Sequence, residues 1–259
     1  MQFFRNFFDN PITKKYGFLI ATIITLFVNG LATVGNLGGL STKQISDIFF
    51  TILTPAGFTF SIWSIIYSSL LVISGLVIAQ KVKISSKGLA YYFLSCLSNC
   101  IWIFLWQFLF PVPAAFLLFS LVFFNALTYL ELKKSNQGAM MLGITSAYLI
   151  YLGWSIVASA INFTVVLQYI LKFNGFGIDA GLWGVFVLYV AMLINVIISI
   201  REQNPTTALV LFWATFGIAN AQDNKILLGG VGSVYTILIL ISVQALREYY
   251  LHKQLKKTN

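Results

Sequence analysis

Apolar residues run along this chain in long blocks separated by short polar stretches. Eight blocks stand out, near residues 17–37, 58–80, 89–110, 113–132, 139–167, 182–200, 207–220 and 227–246. Most reach the roughly 20 residues that a helix needs to cross the hydrocarbon of a bilayer. The seventh is shorter, which fits a tilted, re-entrant or half-buried helix and leaves the count at seven or eight. The pattern predicts an all-α fold, a polytopic membrane helix bundle of about eight transmembrane helices. Pro111 and Pro113 leave almost no connection between the third and fourth blocks, so these two form an antiparallel hairpin.

Polar and aromatic residues inside the blocks recur at helical spacing. In the stretch TPAGFTFSIWSIIY, from Thr54 to Tyr67, the residues Phe60, Trp63 and Tyr67 share one side of a helix. Asn99, Trp102 and Trp106 form a second stripe. Tyr148, Tyr151, Trp154, Ala158 and Asn162 form a third. Lipid cannot satisfy an indole N–H or a phenol O–H, so such stripes are expected to face the bundle interior. If they converge, they build an aromatic-walled pocket with a few hydrogen-bonding groups, the usual make-up of a small-molecule site. Plainer readings stand beside this one. Trp106, close to the Pro111 turn, suits an interfacial belt. Asn99, Asn125 and Asn162 suit hydrogen bonding between helices, and Gly35 and Gly39 suit helix packing.

Composition fixes the class. The 259 residues are 59% hydrophobic and 9% charged, with mean hydropathy +0.87. A soluble domain carries about a quarter charged residues. The net charge of +9 would suit nucleic acid, but the basic residues lie between apolar blocks or near the ends, where membrane topology explains them. Alternating spans place 13 of the 16 Lys and Arg residues on one side, leaving Lys43, Lys172 and Lys225 on the other. That asymmetry predicts an even number of spans with both termini on the cytoplasmic side. The first block is long for a signal peptide and reads as a retained span. The loop from Gly38 to Gly57 then lies outside and is placed to lid a cavity.

The spans lack ionisable chemistry. All seven acids sit in loops or at helix ends, the one histidine is His252, and no lysine or arginine falls mid-span. Intramembrane ionisable groups ordinarily mark proton relays, ion coupling or counter-ions. Ion-coupled transport, a retinal Schiff base, intramembrane hydrolysis and a histidine-ligated haem all lack their usual residues. The expectation is therefore a protein that is not an enzyme, with no catalytic residue, no metal ligand and no required cofactor. Cys96 and Cys100, four apart in one block, read as small packing residues.

Three blocks together resemble the TspO/MBR family of tryptophan-rich sensory proteins. They are Pro55 with Phe60, Trp63 and Tyr67; Asn99 with Trp102; and Tyr151 with Trp154, Ala158 and Asn162. The resemblance covers about residues 15–165. It departs at Thr54-Pro55-Ala56, where the family has a double proline, and at Ile150, where it has a proline. It implies a five-helix unit over 1–170, followed over 171–259 by three additional helices and a basic tail. It also implies a cavity opening toward the first loop, with Trp63, Asn99, Trp102, Trp154 and Ala158 among its lining. Ala158 would count for being small, so that a planar ligand can approach its helix.

The resemblance implies a hydrophobic small-molecule partner of the porphyrin, haem or sterol class, bound for sensing or transport. The lipid bilayer is the second partner, a homo-oligomer stays open, and no nucleic acid is expected. The alternative is a facilitative transporter of another small apolar solute, for which Gly229, Gly230 and Gly232 hint at a broken eighth helix. Val166, Tyr169 and Lys172 match a loose sterol-contact pattern that more often marks an interfacial anchor.

Overall fold

A computed structural model describes residues 2–35, 37–136, 139–235 and 237–238. The basic tail with His252 and the end of the eighth block lie outside the described residues. Every regular element among the described residues is helical. A short α1 (Gln2–Asp9) precedes α2 (Pro11–Thr33), and α3 (Thr42–Ile48) lies in the first loop. A 3₁₀ turn (Gly57–Ser61) leads into α4 (Ile62–Ile78), followed by α5 (Ser86–Gln107) and α6 (Pro111–Ser135). Next come α7 (Ala139–Val165), α8 (Ala180–Glu202), α9 (Thr206–Ala219) and α10 (Lys225–Tyr235). Six of the helices are long and apolar enough to cross a membrane; α9 and the described part of α10 are shorter apolar helices. The fold is a polytopic helical membrane bundle.

The helix ends follow local chemistry. Asn10 and Ser85 cap α2 and α5 through their side chains, Pro11 and Pro111 occupy first-turn positions that need no N–H, and Ser41 with Gln44 forms a capping box on α3. The Pro111 turn makes α5 and α6 the expected tight hairpin. Gly35 and Gly39 are not a helix-packing pair. The helix α2 stops at Thr33, and both glycines take left-handed turns at φ +79° and +84°. Between them Gly38, also left-handed, lies so close to the Gln107 carbonyl that a Cβ would sit 2.9 Å from it. That contact folds the first loop over the end of α5.

The lysine-bearing loops gather at one end of the bundle. The Lys83 amide donates to Asn136, Ser85 donates to Glu131, and Ser86 donates to Asp9. Glu202, at the end of α8, takes both the Lys133 ammonium at 2.6 Å and the Tyr129 hydroxyl. The helix α9 lies along α7, where Gly153 allows close approach to Thr207 and Val210. The helix α10 lies along α8, with Tyr189 and Ser233 hydroxyls 2.7 Å apart. Cys96 is buried, Cys100 is half-buried, and both are free thiols.

Candidate functional site

At the opposite end, α3 and the segment before α4 close over α4, α5 and α7. Here the three aromatic stripes meet. The Trp63 ring stacks on Tyr67 at 5.4 Å and on Trp102 at 5.9 Å, and stands edge-on to Trp154 and Tyr151, each at 6.2 Å. Offset and edge-on pairs of this kind contribute about 0.5–1.5 kcal/mol each beyond burial. The half-buried Trp63 and the buried Trp154 therefore meet edge to face within the bundle.

A cavity of about 30 Å³ lies among these rings. Six of the nine residues expected at the site line it: Phe60, Trp63, Trp102, Trp154, Ala158 and Asn162. Asn99, Tyr151 and Tyr67 stand behind that wall. Asn99 is fully buried, accepts from the Asn29 amide at 2.6 Å, and donates to the Tyr151 hydroxyl at 3.3 Å. It thereby ties α2, α5 and α7 together beneath the cavity, while Tyr67 supports Trp63 by stacking. Trp106 lines the cavity and is buried, so it is not an interfacial belt residue. Pro55 and Ile161 also contribute, as do Thr42 and Ser46 from α3. Trp106 was visible in sequence as the next turn after Trp102. Thr42 and Ser46 carried no signal, because a short polar loop helix looks like solvated surface.

Polar atoms in this wall are left without partners. The indole N–H groups of Trp102 and Trp154 and the Asn162 amide oxygen are buried and make no hydrogen bond, although the Asn162 amide nitrogen donates to the Ala158 carbonyl at 3.1 Å. Gln107 beside them donates to the Ala32 carbonyl and the Thr42 hydroxyl, each at 3.2 Å, while its own oxygen is unpartnered. A buried polar group without a partner costs about 1–3 kcal/mol, so a cluster of them is an unusual investment for packing alone. Among the described residues no cluster of His, Cys, Asp or Glu is arranged to hold a metal ion. A wider groove, about 680 Å³, opens between α4 and α7. Exposed Ser64, Ile65 and Val72 line it, so it belongs to the lipid-facing surface and not to the aromatic site.

These features define a multi-pass helical membrane protein with an aromatic-walled cavity at one end of the bundle. Within that class, the family model described as TSPO-like protein matches residues 15–246, and the chain belongs to the TSPO-like family. The match continues past the first five long helices into α8, α9 and α10. No curated protein and no solved structure matches the chain.

Proposed function

We propose that this TSPO-like protein binds a planar hydrophobic ligand, a tetrapyrrole such as a porphyrin or haem or a sterol-like molecule, for sensing or transport. One observation carries the reading: four tryptophans from three helices, Trp63, Trp102, Trp106 and Trp154, converge on a single cavity where indole and amide groups lack partners. Aromatic faces supply dispersion and stacking to a flat ligand, and the Trp102, Trp154 and Asn162 polar atoms orient its edge. Ala158 keeps the α7 wall low. Binding needs no turnover, so the protein acts as a binder and not as an enzyme. Both termini lie on the cytoplasmic side, with the lysine-bearing loops, and the pocket opens toward the opposite face.

The cavity admits one or two water molecules as it stands, whereas small-molecule sites span roughly 300–1,000 Å³. Ligand uptake therefore requires a wall to move. The transporter alternative gains no support from α10, which runs as a continuous helix through Gly229, Gly230 and Gly232, with Gly230 packed on Val185.

The test is a titration of the purified full chain with protoporphyrin IX, followed by tryptophan quenching. The comparison is Ala158→Leu, which fills the cavity without removing a ring. Saturable quenching by wild type, with affinity at least about tenfold weaker in the variant, is the expected result. Equal and unsaturable quenching in both would mean partition into detergent and would sink the reading.

A further inference from the structure

The wall of the cavity is built unevenly. On three sides it consists of continuous helices, α4, α5 and α7. On the fourth, beside Thr42 and Ser46 of α3, Pro55 and Phe60 belong to a strap, residues 51–61, that is irregular except for its closing 3₁₀ turn. Thr51, Thr54 and Thr59 in this strap are all buried. Irregular backbone in a membrane protein persists only where other parts of the protein satisfy its N–H and C=O groups.

Those partners come largely from the C-terminal part of the chain. The Gln222 side-chain amide donates to the Thr51 carbonyl at 3.2 Å and the Thr54 carbonyl at 3.0 Å. The Trp213 indole N–H donates to the Thr59 carbonyl at 3.0 Å. The Ala56 amide donates in turn to the Gly217 carbonyl at 2.9 Å. From α7 the strap receives a contact of another kind, the Thr164 hydroxyl 3.3 Å from that of Thr51. The α9 backbone lies directly on the strap, because a Cβ at Gly217 would run into the Thr59 side chain, 2.8 Å from its Cβ. The Phe58 ring closes the contact against Trp213 and Phe216, at 5.6 and 5.7 Å.

We infer that Trp213, Gly217 and Gln222 are positioning residues that latch the strap, so that the C-terminal helices set how readily the ligand site opens. The inference rests on the ligand-binding reading above. A flat ligand needs roughly ten times the present space or more. Packed helices transmit strain and yield little. The strap is the wall held by a few separable hydrogen bonds, and those bonds run to α9 and Gln222. Opening breaks them, and the ligand then fills the space the strap leaves. Each hydrogen bond removed shifts the opening equilibrium by about fivefold.

The experiment uses the full chain in detergent with two readouts. Hydrogen exchange of the peptide covering 51–61 reports the latch without any ligand. Stopped-flow association of protoporphyrin IX reports the gate. Trp213→Phe keeps an aromatic ring and loses the donor, Gln222→Leu loses both carbonyl contacts, and Gly217→Ala presses on Thr59 from the α9 side. All three should speed exchange at 51–61 by about fivefold or more and raise the association rate in step, with exchange in α5 and α6 unchanged. Exchange that rises throughout the bundle would mean general destabilisation and would overturn the latch. Wild-type association that all three variants leave unchanged would overturn the gating while the ligand reading stands. Wild-type protein that takes up no protoporphyrin IX saturably would overturn the ligand reading, and the gating with it.

Discussion

Two layers of the same bundle carry similar residues and use them in opposite ways. Nearer the lysine-bearing end, Thr22, Ser74 and Tyr92 from α2, α4 and α5 form a closed set: the Thr22 hydroxyl lies 2.6 Å from that of Tyr92 and 3.1 Å from that of Ser74. Phe18 stacks face to face on Tyr92 at 3.6 Å. The Phe18 and Leu70 carbonyls also lie within hydrogen-bond reach of the Thr22 and Ser74 hydroxyls, at 2.8 and 2.7 Å, so every proton in the set has an acceptor. In the other layer, Trp102, Trp154 and Asn162 are equally buried yet keep unpartnered atoms beside a cavity. A polar side chain in a membrane helix is thus no mark of a site by itself. The mark is a cluster of such groups that the protein leaves unsatisfied next to space.

Three substitutions sharpen that contrast. Tyr92→Ala should do the greatest damage, because it removes a stacked ring and opens the closed set. A loss of about 3 kcal/mol is expected, read as a lower thermal unfolding midpoint in detergent. Protoporphyrin IX affinity per folded molecule should stay near wild type, and a parallel collapse of binding would show that the two layers are one. Asn29→Leu should cost less, about 1 kcal/mol, since it withdraws the donor from Asn99 between α2 and α5. Its effect on binding should be second-hand, through loosening of Tyr151, and smaller than that of any wall substitution. Trp154→Phe should have the smallest effect on stability. It deletes an N–H that has no partner to lose and trims a buried ring that packs edge-on to Trp63, so the unfolding midpoint should fall only slightly while porphyrin affinity falls by about five- to tenfold. A destabilised Trp154→Phe protein with unchanged affinity would mean that the indole N–H serves packing and not ligand.

The helices were legible because a bilayer demands long apolar runs, and their ends because caps and prolines are local chemistry. Convergence of the stripes was legible for the same local reason: three- and four-residue spacing fixes a helix face. Which member of a stripe lines the cavity was not, since Asn99 and Tyr151 face inward as surely as Trp102 and Trp154 but meet Asn29 and each other instead of open space. Spacing reports direction and not what stands there. Asn125 reads as interhelical hydrogen bonding and is so, donating to Ser155 and accepting from Tyr148. Tyr169, read as an interfacial anchor, donates to the Phe50 carbonyl at 2.8 Å and so pins the loop before the strap. The strap's partners were out of reach altogether, because Trp213 and Gln222 lie far along the chain in blocks that look like ordinary span and loop.

That distance in sequence also sets an order of assembly. Thr51 and its partner Gln222 are 171 residues apart. At ribosomal speeds of about 5–20 residues per second, roughly 9–34 s pass between synthesis of the two. The tryptophans that line the cavity are all made within that interval, while the strap carbonyls wait for the donors that will fix them. During biogenesis those carbonyls must be held by water, by the insertion machinery or by other parts of the nascent chain. The cavity is therefore among the last features of this protein to mature, although every residue that lines it precedes α8.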